Sequence, residues 1–250
     1  MYFHPAVPGV LAQVKNTCVS VKPALIMAAL LALLITVALP IPSHAAGSLD
    51  EIIDKTQAAF DKTKSMKSDF AQVFESKGFG KTAEYRGAVF ILKPSRMLWR
   101  YTEPKGRMLV SDGADLWLYD PEDNVAYHDQ IKGFLHEKSP ALFLAGEKTL
   151  RDLFTIDLVE PVKMDKLEKV VKLKLTPKSP QPGVKGMLLT ADAATYAIIE
   201  LMMVDHLGNR NKITFLNAER GVEIDPSIFK FVPPQGTPVR PMQKLPPAGQ

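Results

Sequence analysis

Residues 86–121, RGAVFILKPSRMLWRYTEPKGRMLVSDGADLWLYDP, form the stretch whose reading decides the fold. They divide into four strands punctuated by turns. After Pro94, Met97, Trp99 and Tyr101 fall on one side of an extended chain, and Arg96, Leu98 and Arg100 on the other. One face is therefore apolar and aromatic. Glu103-Pro104-Lys105-Gly106 makes the next turn and 107–112 the next strand. Asp112-Gly113 is a tight hairpin signal, and 115–119 is a strand ended by Asp120-Pro121. The unit is an antiparallel meander. On patterning alone its apolar face reads as ordinary sandwich or barrel core.

Upstream, residues 83–92 are a strand whose centre is apolar on both faces. Residues 68–75 alternate with Phe70 and Phe74 on one face, and Gly78 and Gly80 close that strand. Before them, Ser48-Leu49-Asp50-Glu51 is a capping box. Leu49, Ile52, Ile53, Ala59 and Phe60 recur at helical spacing, which predicts an amphipathic helix reaching residue 64 or 66. Downstream, 125–130 is a weak strand followed by a helical insertion. There Ser139 is the N-cap, Pro140 the first helical residue and Gly146 the terminator around Ala141-Leu142-Phe143-Leu144, and 149–154 predicts a second short helix. Further strands are predicted over 154–159, 169–175, 187–192, 197–205, 212–218 and 229–232. A Pro/Gly turn region spans 177–183, and Leu207-Gly208-Asn209 makes a hairpin. About eleven strands with helices at the start and middle result, and a sheet that long must twist and curl. The last 18 residues contain six prolines, so 237–250 reads as a Pro-rich mobile tail.

The N-terminal segment is of another kind. Residues 1–45 carry Lys15 and Lys22, no acidic residue, and an apolar run over 24–39 broken by Pro40 and Pro42. With Ser43-His44-Ala45 offering small residues where a signal peptidase reads, 1–45 is a secretory signal peptide cleaved after Ala45. The rival reading, a membrane anchor, meets a run of 16 residues where a span needs roughly 20. Cys18, the one cysteine, leaves with the signal, so the exported chain has no disulfide, thiolate chemistry or lipobox. Without Lys15 and Lys22, 29 basic residues face 27 acidic ones, a net charge of +2. No Lys/Arg cluster interleaves with aromatics, which argues against nucleic acid. Residues 46–250 suit one soluble, monomeric all-β domain folded without metal.

Catalytic and metal-binding patterns do not stand out in the chain. His128, His136 and His206 stand at no metal-ligand spacing, and Asp120, Glu122 and Asp123 read as solvated turn charges. Nucleophile elbow, Walker loop and dinucleotide fingerprint are absent, so neither enzyme nor cofactor is expected.

The meander also carries a resemblance. Lys93-Pro94-Ser95-Arg96-Met97-Leu98-Trp99, Tyr101-Thr102-Glu103-Pro104, Leu109-Val110-Ser111-Asp112-Gly113 and Leu116-Trp117-Leu118-Tyr119-Asp120-Pro121 occur in order and register. Together with Phe229-Lys230-Phe231-Val232-Pro233-Pro234-Gln235-Gly236 as a closing strand and turn, they resemble the periplasmic outer-membrane lipoprotein carrier family, LolA. The resemblance implies a mainly β fold with an α lid, an incompletely closed antiparallel β-barrel covered by short helices. It assigns 46–236 to the half-barrel domain. In such a fold Phe70, Phe74, Val89, Ile91, Met97, Trp99, Tyr101, Leu201 and Met203 would line a cavity for acyl chains. Ile52, Ile53, Phe60, Leu142 and Phe143 would belong to the lid. Burying a sixteen-carbon chain there is worth roughly 12 kcal/mol at about 0.8 per methylene.

The implied partners are acylated lipoproteins, an inner-membrane lipoprotein-releasing ABC transporter and an outer-membrane lipoprotein acceptor. In the resembled family an Arg directly before the motif's Pro holds the lid closed through helix backbone. This sequence has Lys93 there, with the alternative of an exposed strand-end Lys that has no latch role. Two further readings stay open, an envelope lipid- or stress-sensing interaction module of the same fold and a hydrolase of envelope lipid.

Overall fold

The computed structural model describes residues 48–131, 148–159, 170–180 and 183–242. The expected signal peptide, the expected helix carrying Leu142 and Phe143, and residues 243–250 lie outside the described residues.

Helix α1 (Leu49–Lys62) begins where its cap predicts. The Ser48 hydroxyl accepts the Glu51 N–H at 3.2 Å, Asp50 and Glu51 stand in the first turn and Lys62 in the last, matching the helix dipole. The strands follow as β1 (Ser65–Ser76), β2 (Lys81–Leu92), β3 (Arg96–Glu103), β4 (Met108–Asp112), β5 (Asp115–Asp120) and β6 (Val125–Gln130). A short helix α2 (Leu150–Leu153) leads into β7 (Phe154–Leu158), β8 (Val170–Pro177), β9 (Gly186–Asp192), β10 (Ile198–Val204), β11 (Arg210–Arg220) and β12 (Val239–Pro241). All twelve lie in one sheet, ordered β12-β6-β5-β4-β3-β2-β1-β11-β10-β9-β8-β7. The two ends of that order do not pair with each other, so the sheet is open. Its seam is β1, which pairs antiparallel with β2 on one side and β11 on the other.

The period-two pattern sorts side chains onto two faces. Phe70, Val89 and Trp99 cluster with Met66 on the inner face. Leu98 and Val110 pack on the outer face against Phe229, which is 1% exposed. Gly87 is required where β2 crosses β3, because a Cβ there would sit 2.1 Å from the Arg100 carbonyl oxygen and 2.9 Å from the Phe70 ring.

Two expectations change at the C-terminus. Residues 229–232 are not a strand. Pro226–Phe229 form a 3-10 turn capped by the Asp225 carboxylate, and the segment contributes Phe229 and Phe231 to the outer-face cluster rather than hydrogen bonds to the sheet. Nor is the whole of 237–250 a tail. Val239–Pro241 runs parallel to β6 as β12, and Met242 packs on Leu116, Val125 and Tyr127. Proline there suggested disorder, but an edge strand tolerates proline, and the Pro238 carbonyl accepts the Ala126 N–H at 3.0 Å.

Candidate functional site

The inner face is apolar at one end and polar toward the other. At the apolar end, two lobes lie side by side, the first between α1 and the sheet and the second beside it on the sheet. Ile91, Lys93, Leu201 and Phe215 border both. The first lobe runs under Ala59, Phe60 and Thr63 at the end of α1, and the second under Met97 and Trp99 toward the Ser95 turn. Apart from Lys93, Arg96, Arg220, Thr63 and Ser95 the lining side chains are apolar, so most of the wall offers a guest dispersion contact and exclusion of water.

Lys93 stands between the lobes. As the residue after β2 it extends the row of Val89 and Ile91, and its backbone N–H is tied to the Lys64 carbonyl at 2.8 Å. Its Nζ donates to the Phe60 carbonyl oxygen at 2.6 Å and sits 3.2 Å from the centroid of the Phe60 ring. The side chain thus joins the sheet to the last turn of α1, where the carbonyls point and a cation is favoured. Burial lowers the Lys93 ammonium to about 8, with Asp61 acting against the shift. Arg96 also borders the second lobe, and its Nε donates to the Asp112 carbonyl at 3.2 Å.

The polar end is a chain of side-chain hydrogen bonds crossing three strands. Tyr101 donates to Gln72 Oε1 at 3.1 Å, and Gln72 Nε2 donates to Asn211 Oδ1 at 2.9 Å. Burial pushes the Tyr101 hydroxyl up to about 12, so it remains a neutral donor at any physiological pH. Farther along, Arg107 is paired with the buried Asp120 carboxylate. These groups saturate one another and leave the apolar end as the place for a hydrocarbon guest.

Helix α1 has a second fastening near its start. Arg151, on α2, donates to Asp50 Oδ1 at 2.9 Å and to Asp54 Oδ1 at 3.0 Å, and the Leu150 N–H reaches Gln57 Oε1 at 2.8 Å. Ile52 and Ile53 pack with Leu150, Phe154 and the strands β7–β10. The helix therefore rests on one half of the sheet, and only its last turn, through Phe60, reaches the half carrying Trp99.

The residues singled out from the sequence fall into three groups. Ile91, Met97, Trp99 and Leu201 line a lobe. Phe70 and Val89 lie behind them as sealed core, 1% and 0% exposed, and Trp99 at 9% has its ring edge against Phe70 at 5.0 Å between centroids. Trp99 is thus both wall and core, which corrects the equal treatment of Trp99 and Met97. Tyr101 belongs to the polar chain, Met203 packs on the α1 side, and Phe74 is buried farther along β1 opposite Asn211. The sequence reading missed Ala59, Thr63, Ile198, Ile213, Phe215 and Arg220 as lining residues. Ile213 and Phe215 alternate within 212–218 and were within reach of the same period-two argument.

Among the described residues no three His, Cys, Asp or Glu side chains gather as metal ligands, and no helix is long and apolar enough to cross a membrane. The model of the family described as Outer membrane lipoprotein carrier protein LolA matches residues 61–232. This chain belongs to the LolA family. An outer-membrane lipoprotein carrier protein of Methylococcus capsulatus is 30% identical over 185 residues, 74% of this chain and 85% of that one. Another, from Dechloromonas aromatica, is 28% identical over 204 residues, 80% of this chain and 90% of the relative. Among solved structures, the LolA superfamily protein NE2245 from Nitrosomonas europaea superposes with a TM-score of 0.40 at 13% identity, covering 74% of this chain and 99% of that one. Within the LolA motif, Lys93 before Pro94 is the side chain that meets the helix.

Proposed function

We propose that this chain is a periplasmic carrier that shields the acyl chains of lipoproteins on their way to the outer membrane. The observation that carries this reading is an apolar lobe beneath the last turn of α1 and a second beside it on the sheet, with Lys93 lining both and bonded to the Phe60 carbonyl. In the closed state Phe60 and Lys93 keep the lobes apart. When the last turn of α1 lifts, Lys93 loses the Phe60 carbonyl, and the lobes become one apolar floor of Ile91, Met97, Trp99, Leu201 and Phe215. Acyl chains entering there displace water from that floor, and the reclosing helix favours their release. Lys93 is the lid latch in this scheme, Phe60 belongs to the moving turn, and Ile52 and Ile53 anchor the start of the lid helix on β7–β10.

The task needs binding and release rather than bond chemistry, so no catalytic group or cofactor takes part. Cargo is accepted from an inner-membrane ABC transporter that releases lipoproteins and is passed to an outer-membrane acceptor, with the carrier acting as a monomer. Export through the 1–45 signal peptide puts residues 46–250 in the periplasm. The test incubates purified protein with energised inner-membrane vesicles bearing a triacylated lipoprotein. A soluble one-to-one complex is expected with that cargo and none with a non-acylated form. Equal release of both forms, or of neither, contradicts acyl carriage.

A further inference from the structure

Far from Lys93, two turns stand side by side at the opposite end of the seam. Lys93, Ser65 and Arg220 share one end, and twelve residues of β1, roughly 40 Å of strand, separate it from Ser76. Beyond Ser76 the β1–β2 turn presents Phe79, 68% exposed, and the neighbouring β10–β11 turn presents Leu207, 80% exposed. The turns form one platform, because the Lys77 N–H donates to Asn209 Oδ1 at 3.0 Å and the Lys77 side chain lies against Gly208. Both tips are held outward. The Asp205 carboxylate accepts the Leu207 N–H at 2.9 Å and the Asn209 N–H at 2.8 Å, while a Cβ on Gly78 or Gly80 would meet nothing within 4 Å.

Behind the tips lies an open cleft bearing Lys77, Lys81, Lys185 and Arg210 against Glu75, which is 3.8 Å from Arg210. With Glu75 and Asp205 set against the four basic side chains, the surface is still net positive around two raised apolar tips. A partner helix would need a groove between the tips. Isolated apolar points ringed by positive charge instead match a layer of anionic headgroups over hydrocarbon.

We propose that the paired turns 77–80 and 205–209 dock this protein on an anionic lipid bilayer, with Phe79 and Leu207 inserted and the four basic side chains on the headgroups. Docked so, the protein directs the Lys93 end away from the bilayer and leaves it free. This is independent of acyl carriage, and its failure leaves that reading in place.

The test is co-sedimentation of the purified protein with vesicles of equal phosphatidylglycerol and phosphatidylcholine, and with phosphatidylcholine alone. Pelleting is expected with the anionic vesicles only. Phe79→Ser with Leu207→Ser lowers partitioning more than tenfold, and Lys77→Ala or Lys81→Ala lowers it about fivefold each. Unchanged uptake of an uncharged naphthylamine probe into the inner cavity shows that the variants keep their fold. Equal pelleting with both vesicle types, no pelleting with either, or wild-type pelleting by the Phe79/Leu207 variant overturns the proposal.

Discussion

Replacing Lys93 by Met keeps the length of the side chain and removes its N–H donors, so it isolates the contact with Phe60. A hydrogen bond from an ammonium typically nets about 1.5–3 kcal/mol, and a cation over a ring adds roughly 0.5–2. Against these stands the cost of drawing the ammonium out of water, which lowers it to about 8 and which its half-exposed position softens. The balance left for closure is about 1 kcal/mol, close to fivefold in the closed population. The assay is binding of uncharged N-phenyl-1-naphthylamine, which enters only the open form, and Lys93→Met is expected to tighten it by up to about fivefold.

The same contact predicts a pH dependence of definite sign. Released into water, the Lys93 amine returns to its ordinary 10.5, whereas in the closed state it is about 8, so closure sheds a proton between those values. Closure is therefore indifferent to pH below about 8 and strengthens from 8 toward 10.5, because the neutral amine still donates to Phe60 without the burial cost. Probe affinity should fall over that window in wild type and stay level in Lys93→Met and in Lys93→Arg, whose charge does not titrate there. Equal probe affinity for wild type and Lys93→Met, or a level wild-type profile, refutes the latch.

Four further substitutions test the cavity wall, the core, the β2–β3 crossing and the buried ion pair. Met97→Glu, half-buried at a lobe, should cost less than about 1 kcal/mol in urea denaturation yet abolish acyl binding, whereas Trp99→Glu should cost about 3–5 kcal/mol. Gly87→Ala forces a methyl onto the Arg100 carbonyl and should lower stability by about 1–3 kcal/mol, read as a shifted denaturation midpoint at constant slope. Asp120→Asn leaves the partly buried Arg107 without its carboxylate and should cost about 2 kcal/mol in the same measurement, with the naphthylamine site intact.

The meander was legible because strong period-two alternation, Asp-Gly and X-Pro turns and aromatic spacing all point the same way over 86–121. Strands β1 to β11 followed from the same signal, and α1 from its capping box. The C-terminus was misread where two rules compete, since proline argues for disorder in general yet is tolerated on an edge strand such as β12. The site was only half legible. Alternation places Met97, Trp99 and Tyr101 on one face but cannot say that Tyr101 is consumed by Gln72, that Trp99 is sealed against Phe70, or that α1 lies over β7–β10. Those facts depend on sheet curvature and on pairing between β1 and β11, far apart in sequence. Arg220 reaches the first lobe through that same long-range pairing, and nothing local marks it.

Acyl chains of a lipoprotein are proposed to fill the apolar lobes on either side of Lys93. Native mass spectrometry of the protein, purified from the periplasm of a host producing a triacylated lipoprotein, tests it most directly. A one-to-one complex that dissociates into carrier and triacylated cargo is predicted, lost in Met97→Glu and absent when the cargo cannot be acylated. Empty carrier under all three conditions, or a complex that forms equally with non-acylated cargo, contradicts it.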